Sequence, residues 1–228
     1  SAGNTGAQLA ASRLILGKIS HVKRPGLAVY FQALNEKKVL CDVGANLEVK
    51  PEHLLQFAIM SSVYLDHVEG VKNPKIGLIN IGEEPNKGTE VYQDAYELLS
   101  NELPNFVGNV ESRNFFDSKA HVLVCDGFVG NILLKTTESL GKKIAKEILD
   151  KTGNKDLSDD IFNKTNILSA SYGGGPIFGI NGIAIIGHGS SKVSTIVNAI
   201  KTAKLTIENN WVEKQQTAIK KIRLEIKD

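Results

Sequence analysis

Cysteine is scarce: Cys41 and Cys125 are the only two in 228 residues. Two cysteines make no disulfide framework. Each sits in an apolar run beside an aspartate, as small buried thiols of a reducing compartment do. Cys-x-x-Cys and His-x-x-x-His are both absent, so no metal-ligand spacing is present and no metal or other cofactor is expected. Gly-x-x-x-x-Gly-Lys-Ser/Thr is missing, which argues against a P-loop NTPase. So is Gly-x-Ser-x-Gly, the serine hydrolase elbow. No Gly-x-Gly-x-x-Gly follows a strand. Neither sign of charge dominates: 27 Lys and Arg face 25 Asp and Glu, too even a balance to suggest nucleic acid. Long hydrophobic runs are lacking as well. The charge-free stretch from Thr165 to Ser191 is broken by Pro176, Asn166, Asn181 and seven glycines, far from the roughly 20 apolar residues a membrane span needs. It reads as a glycine-rich loop followed by a buried strand. The opening residues show no basic start and no apolar leader, so no secretory signal is expected.

What is present is a chain 42% hydrophobic, with 21 glycines against 6 prolines. That composition suits a globular core and excludes disorder. The glycines cluster just after apolar runs, and the pattern repeats: strand, Gly/Asp/Asn-rich turn, amphipathic helix. Lys38 to Cys41 is a short strand ending in Asp42-Val43-Gly44-Ala45-Asn46, and Pro51 starts a helix to His67, with proline suited to the first helical position. Further strands are expected over Lys75–Ile81, Asn105–Val107, His121–Cys125 and Ile183–Ile186. Helices follow them over about Thr89–Ser100, from Asn131 to about Lys151, and from Ser191 to about Asn209. Another helix runs from about Thr5 to Gly17. Alternation of this kind predicts an α/β fold, a mostly parallel sheet with helices on both faces. Leu27–Leu34 and Lys38–Cys41 can pair around Asn35-Glu36 as one antiparallel element. The chain reads as a single domain over 1–228. It carries a charged helical protrusion around 142–165 and a C-terminal helix around 211–226, whose apolar positions are Trp211, Ile219, Ile222 and Ile226.

Ligands of open parallel sheets bind beyond the carboxyl ends of the strands. Asp42, Asn46, Glu83, Lys87, Asn109, Asp126, Gly130, Asn131 and His188 all follow predicted strands. The turn Ser1 to Ala7, with Asn4, Thr5 and Gly6, opens another helix. Helix N-termini with small residues suit phosphate, so an anion site is expected. Each residue also has a plainer role open to it. Asp42, Asp126 and Asn131 can be helix caps, Glu83 and Lys87 solvated turn residues, and His188 a backbone-satisfied histidine between glycines.

Seven blocks occur in the order seen in PlsX-type phosphate acyltransferases. They are Ser1-Ala2-Gly3-Asn4-Thr5-Gly6-Ala7, Asp42-Val43-Gly44-Ala45-Asn46, Asn80-Ile81-Gly82-Glu83-Glu84 with Lys87-Gly88, and Gly108-Asn109-Val110-Glu111. Then come Cys125-Asp126-Gly127-Phe128-Val129-Gly130-Asn131, Tyr172-Gly173-Gly174 and Gly187-His188-Gly189-Ser190-Ser191. From Ser1 to about Asn209 the chain resembles that family. The resemblance implies a fold akin to the isocitrate/isopropylmalate dehydrogenase and phosphate acetyltransferase group. It implies a reaction in which acyl carrier protein thioester and inorganic phosphate give acyl phosphate for phospholipid synthesis. It further implies a cytoplasmic homodimer loosely associated with the membrane, feeding a downstream glycerol-phosphate acyltransferase. Family members carry an additional N-terminal strand with an Asp-Ala-Met-Gly-Gly-Asp turn, absent here, so the chain is expected to be the C-terminal part of a longer protein. Asn154 to Lys164 is also more polar than in the family.

Phosphate is already nucleophilic near neutral pH, so such a reaction needs no serine or cysteine nucleophile. Lys87 and Asn131 are the residues the resemblance points to most clearly. Lys87 would offset charge as the anion meets the carbonyl, and Asn131 would donate to the carbonyl oxygen. His188 is a candidate proton shuttle. Asn4, Thr5 and Gly6 would help hold phosphate. Lys135, Lys142, Lys143 and Lys146 could offer the acidic carrier protein a basic face, or be a solvated one. The rival readings are a phosphotransacetylase using a coenzyme A thioester, an NAD(P)-dependent dehydrogenase of the related fold, and a non-catalytic dimerising fragment.

Overall fold

The computed structural model describes residues 2–33, 36–165, 173–187, 189 and 191–222. Ser1, Asn35, Asn166, Tyr172, His188, Ser190 and Ile226 lie outside them. Helix α1 (Thr5–Ala11) runs into one π-helical turn over Ser12–Leu16. An antiparallel pair follows, β1 (Gly26–Ala33) and β2 (Glu36–Cys41), in the register Ala28–Cys41 to Ala33–Glu36. Then come α2 (Pro51–His67), β3 (Ile76–Asn80), α3 (Glu90–Glu102), β4 (Phe106–Glu111) and β5 (Val122–Val124). The remainder is α4 (Gly127–Thr152), α5 (Lys155–Thr165), β6 (Gly175–Phe178), β7 (Ile185–Ile186), α6 (Val193–Glu208) and α7 (Trp211–Lys221).

The seven strands form one sheet in the order β4-β3-β5-β2-β1-β6-β7. β4, β3, β5 and β2 run parallel to their neighbours, whereas β2–β1, β1–β6 and β6–β7 are antiparallel. The sheet is therefore half parallel rather than mostly parallel. The reason is local. β1 returns through a hairpin, and the chain from 173 to 187, expected to be a loop and one strand, holds two short strands. Proline at β6 and glycines around it hide the strand signal from a reading based on periodicity.

Alternating residues divide the core between the two faces of the sheet. Ala28, Tyr30, Val39, Cys41, Ile76, Leu78, Val122 and Val124 meet Leu54, Phe57, Ala58 and Leu65 of α2, Leu99 of α3 and Trp211 and Ile219 of α7. Trp211 is 1% exposed and packs edge-on to Tyr64 and Phe178, with ring centroids 5.7 and 5.1 Å away. The apolar stripe on α7 is thus a docking stripe for the body. Leu27, Val29, Phe31, Leu40, Leu123, Cys125 and Ile177 form the second face, covered by Leu134 of α4 and by Phe115. α4 ends at Gly153, whose left-handed conformation closes the helix. α5 then folds back, and the buried Ser158 hydroxyl donates to the Ala145 carbonyl of α4 at 2.7 Å. None of the described helices is long and apolar enough to cross a membrane.

Candidate active site

The parallel strands β2, β5, β3 and β4 deliver four turns to one edge of the sheet. The turn after β2 is built around Asp42, which is fully buried. One carboxylate oxygen accepts from the Leu27 N–H (3.0 Å) and the Ala45 N–H (3.2 Å). The other accepts from the Asn46 N–H (2.6 Å) and the Asn46 side-chain amide (2.9 Å). The same amide reaches the Pro25 carbonyl at 2.8 Å. Four donors fill this carboxylate, so Asp42 and Asn46 organise the turn; Asp42 is not the helix cap it could have been, because the following helix is capped at Lys50. Burial pushes the Asp42 carboxyl up to about 6, and the hydrogen bonds from Asn46, Ala45 and Leu27 oppose the rise. A carboxyl whose folded-state pKa lies above its unfolded value favours the fold fully below the ordinary pKa of about 4. That contribution is lost as pH rises to about 6. Urea unfolding from about pH 4 to pH 7 should therefore show a loss of stability in the wild type that Asp42→Asn removes. Parallel curves for the two proteins would contradict it.

The helix after β5 packs directly onto that turn. The Gly127 N–H donates to the Asn46 carbonyl at 2.7 Å. Asp126 caps α4, one carboxylate oxygen accepting from the Val129 N–H at 2.8 Å, and the Asp126 carbonyl accepts from Gly130 N–H at 3.0 Å. Three first-turn amides of α4 are thereby occupied by the protein itself, and the helix dipole and the Phe128 N–H, which has no partner among the described residues, remain for an incoming anion. A Cβ on Gly130 would lie 1.9 Å from the Asp42 carbonyl oxygen, so glycine is what lets the helix seat. Asn131, next along, is exposed. Its carboxamide lies over Gly44, with Cγ and Oδ1 3.7 Å from where a Cβ on Gly44 would sit. It has no hydrogen-bond partner among the described residues. At φ 118°, Gly44 adopts a conformation that favours glycine.

The turn after β3 is tied to β4 by two asparagines. The Asn80 amide at the end of β3 donates to the Lys87 carbonyl (3.0 Å) and to Asn109 Oδ1 on β4 (3.1 Å). The Asn109 amide donates to the Glu84 carbonyl at 2.7 Å. Asn109 is spent on holding this loop. Lys87 is left 44% exposed, with its ammonium 3.9 Å from Glu84. Glu83 accepts from the Asn114 amide at 2.8 Å. Ile81, Gly82, Glu83, Glu84, Lys87, Glu111 and Arg113 line an open groove of about 470 Å³. Arg113 is held by Glu111 at 2.6 Å, which leaves Lys87 the less committed cation of the groove.

Asn4 caps α1 by accepting from the Ala7 N–H at 3.0 Å, and Ala2 bridges to Gly187 just past β7. No hydrogen bond among the described residues joins Asn4, Thr5 or Gly6 to the Lys87 or Asn131 turns. β7 runs against the direction of the parallel strands. The rule that gathers ligands at the carboxyl ends of parallel strands thus covers the Asp42, Lys87 and Asp126 turns and does not extend to Gly187; Asn109, expected after a strand ending at Val107, instead lies within β4, because the pairing with β3 carries that strand on to Glu111. His188 lies outside the described residues. No cluster of metal-ligating side chains occurs among the described residues.

Two residues without an assigned role in the sequence reading matter here. Asn80 clamps the Lys87 loop. Tyr92, on the first turn of α3, donates to Asp126 Oδ2 at 2.6 Å and accepts from the Asp126 N–H at 3.0 Å. Burial, with Cys125 and Asp126 nearby, pushes the Tyr92 phenol well above its usual range. A helical tyrosine gives no local signal of such a role, because its partner lies 34 residues away.

The chain has relatives among known proteins. A phosphate acyltransferase of Desulfitobacterium hafniense is 46% identical over 223 residues, covering 93% of this chain and 67% of the relative. One of Halothermothrix orenii is 45% identical over 233 residues, with the same coverage. The chain spans about two thirds of the length of these curated relatives. Among solved structures, a phosphotransacetylase from Streptococcus pyogenes aligns with a TM-score of 0.56 at 16% identity, over 96% of this chain and 61% of that one. A branched-chain phosphotransacylase from Enterococcus faecalis gives 0.50 at 14%, over 79% and 64%. At such identities the likeness is one of fold. The family described as fatty acid synthesis protein matches residues 1–214, and with relatives this similar the chain belongs to that family.

Proposed function

We propose that this protein transfers an acyl group from acyl carrier protein to inorganic phosphate, giving acyl phosphate for phospholipid synthesis. The observation that carries the reading is the free Asn131 carboxamide, held over Gly44 on the helix beside the Lys87 turn. A phosphate oxygen attacks the thioester carbonyl carbon, and the carbonyl π electrons move to oxygen. Asn131 N–H donates to that oxyanion, and Lys87 offsets the accumulated negative charge. Collapse breaks the C–S bond and the pair leaves on sulfur, with His188 as the group that returns a proton. Asn4, Thr5 and Gly6 hold phosphate in this scheme, and no cofactor takes part. Asp42, Asn46, Asn109, Asp126 and Gly130 form the frame rather than touching substrate. The turns at this edge carry exposed Leu47 and Ile81, and the start of α4 carries exposed Phe128 and Ile132, which suits an acyl tail.

On α4, Lys135 and Lys146 are engaged by Glu138 and Asp150. Lys142 and Lys143 are exposed with no ion pair among the described residues, so they are the cations offered to an acidic carrier protein. A homodimer accounts for the exposed Val193, Val197, Ile200 and Ile207 on α6. Peripheral contact with the inner membrane face, next to a glycerol-phosphate acyltransferase, completes the reading. The test mixes the protein with acyl carrier protein thioester and phosphate and traps acyl phosphate as its hydroxamate with hydroxylamine. Phosphate-dependent hydroxamate is the expected result, and none sinks the reading. Product with a coenzyme A thioester alone would favour a phosphotransacetylase, and reduction of pyridine nucleotide a dehydrogenase.

A further inference from the structure

We propose that Tyr92 is a positioning residue whose hydroxyl locks the turn carrying Lys87 to the helix carrying Asn131. The two turns leave β3 and β5, which are adjacent parallel strands, so nothing in the sheet ladder beyond Leu78 and Val124 fixes their spacing. Side chains must do it. Asn80 and Asn109 anchor the Lys87 loop to β3 and β4, but neither reaches α4. Asp126 anchors the start of α4 by capping Val129, but its remaining oxygen and its own N–H face α3. Tyr92 closes this gap. One hydroxyl serves both groups, donating at 2.6 Å and accepting at 3.0 Å.

At its other end the tyrosine grips the Lys87 turn. A Cβ on Gly88 would lie 3.0 Å from Tyr92 Cβ and 2.6 Å from Asn80 Oδ1. Gly88 is therefore wedged between the clamp from β3 and the base of the tyrosine. The Tyr92 N–H also donates to the Thr89 carbonyl at 2.9 Å, which fixes the first turn of α3 on that loop. The result is a continuous run of contacts: Asn109, Asn80, the Lys87 backbone, Gly88, Tyr92, Asp126 and the first turn of α4. Removing the hydroxyl alone cuts this run at one point. It leaves the Val129 cap and both asparagine clamps in place.

The kinetic half of this proposal rests on the acyl-transfer reading, and the structural half does not. Tyr92→Phe is therefore measured twice. By hydrogen exchange, amides of residues 84–90 and 126–131 should lose protection together, while a buried change remote from this edge, Ile219→Val, should leave both unchanged. Wild-type protection at either segment in Tyr92→Phe overturns the coupling, whatever the activity. In acyl phosphate formation, Tyr92→Phe should lower kcat about tenfold or more, as small misplacements of reacting groups do. KM for phosphate should stay within about twofold, and adding Tyr92→Phe to Lys87→Ala should cost almost nothing further. An unchanged kcat, a loss confined to KM, or losses that multiply in the double variant would each overturn it. A wild-type protein that forms no acyl phosphate defeats the functional reading, and the exchange result then decides the coupling alone.

Discussion

Asn131→Ala should lose about a hundredfold to a thousandfold in kcat, the range set by removing one oxyanion donor. KM for phosphate should hardly move, because the interaction is made only as charge develops on the carbonyl oxygen. The folded state gives this prediction a clean background. Asn131 is exposed and its carboxamide has no hydrogen-bond partner among the described residues, so truncation breaks no internal hydrogen bond. Stability should stay within about 0.5 kcal/mol of wild type, as for surface substitutions in general. Lys87→Ala belongs to the same experiment. Its ammonium makes only a 3.9 Å contact with Glu84, and the Lys87 backbone stays clamped by Asn80 whatever the side chain. A large loss of kcat with intact folding is expected there as well. If both variants kept wild-type rates of acyl phosphate formation, the assigned mechanism would be wrong.

Gly130→Ala should be the most damaging small change to the fold of this edge. The added methyl would fall 1.9 Å from the Asp42 carbonyl oxygen and 3.0 Å from Cys125 Sγ. The first of these is backbone, in a turn already held by four hydrogen bonds to Asp42, so it has no room to yield. Overpacking of side chains costs about 1–3 kcal/mol, and a backbone clash belongs at or above the top of that range, about 3 kcal/mol or more. The helix must lift to relieve it, which also carries Asn131 off Gly44. Denaturant midpoint and kcat should therefore fall together. Gly153→Ala is the control: nothing lies within 4 Å of its added Cβ, and its left-handed conformation costs only about 1–2 kcal/mol. A Gly130→Ala protein with wild-type midpoint and activity would refute the close packing of α4 on the Asp42 turn.

Local pattern made much of the architecture legible. Pro51, the apolar run behind it and the turn before it placed α2 at Pro51–His67, where it lies. Lys75–Ile81 and His121–Cys125 contain β3 and β5. The hairpin between β1 and β2 was visible from two apolar runs around a polar pair. These signals arise within a few residues, from the periods of strand and helix and from the conformations that glycine and proline permit. β6 escaped because four residues containing a proline show no period, and its strand state comes from pairing with Gly26 and Leu27, some 150 residues earlier.

The residues of the edge show the same division. Composition and spacing by themselves determined that Asp42, Asn46, Lys87 and Asp126 sit in turns after strands, and that no metal-ligand or nucleophile motif is present, whereas Asn109 lies within β4 and Asn131 within α4. They could not separate a ligand from a strut, because aspartate and asparagine serve either role with the same atoms. Only the tertiary structure decided that. Leu27, Ala45 and Asn46 fill the Asp42 carboxylate, Asn80 and Glu84 occupy Asn109, and Tyr92 and Val129 occupy Asp126, whereas Asn131 keeps its carboxamide free. The physical reason is that a polar side chain's role is set by which donors and acceptors remain open once the chain has closed on itself. Several of those partners come from strands and helices tens of residues away.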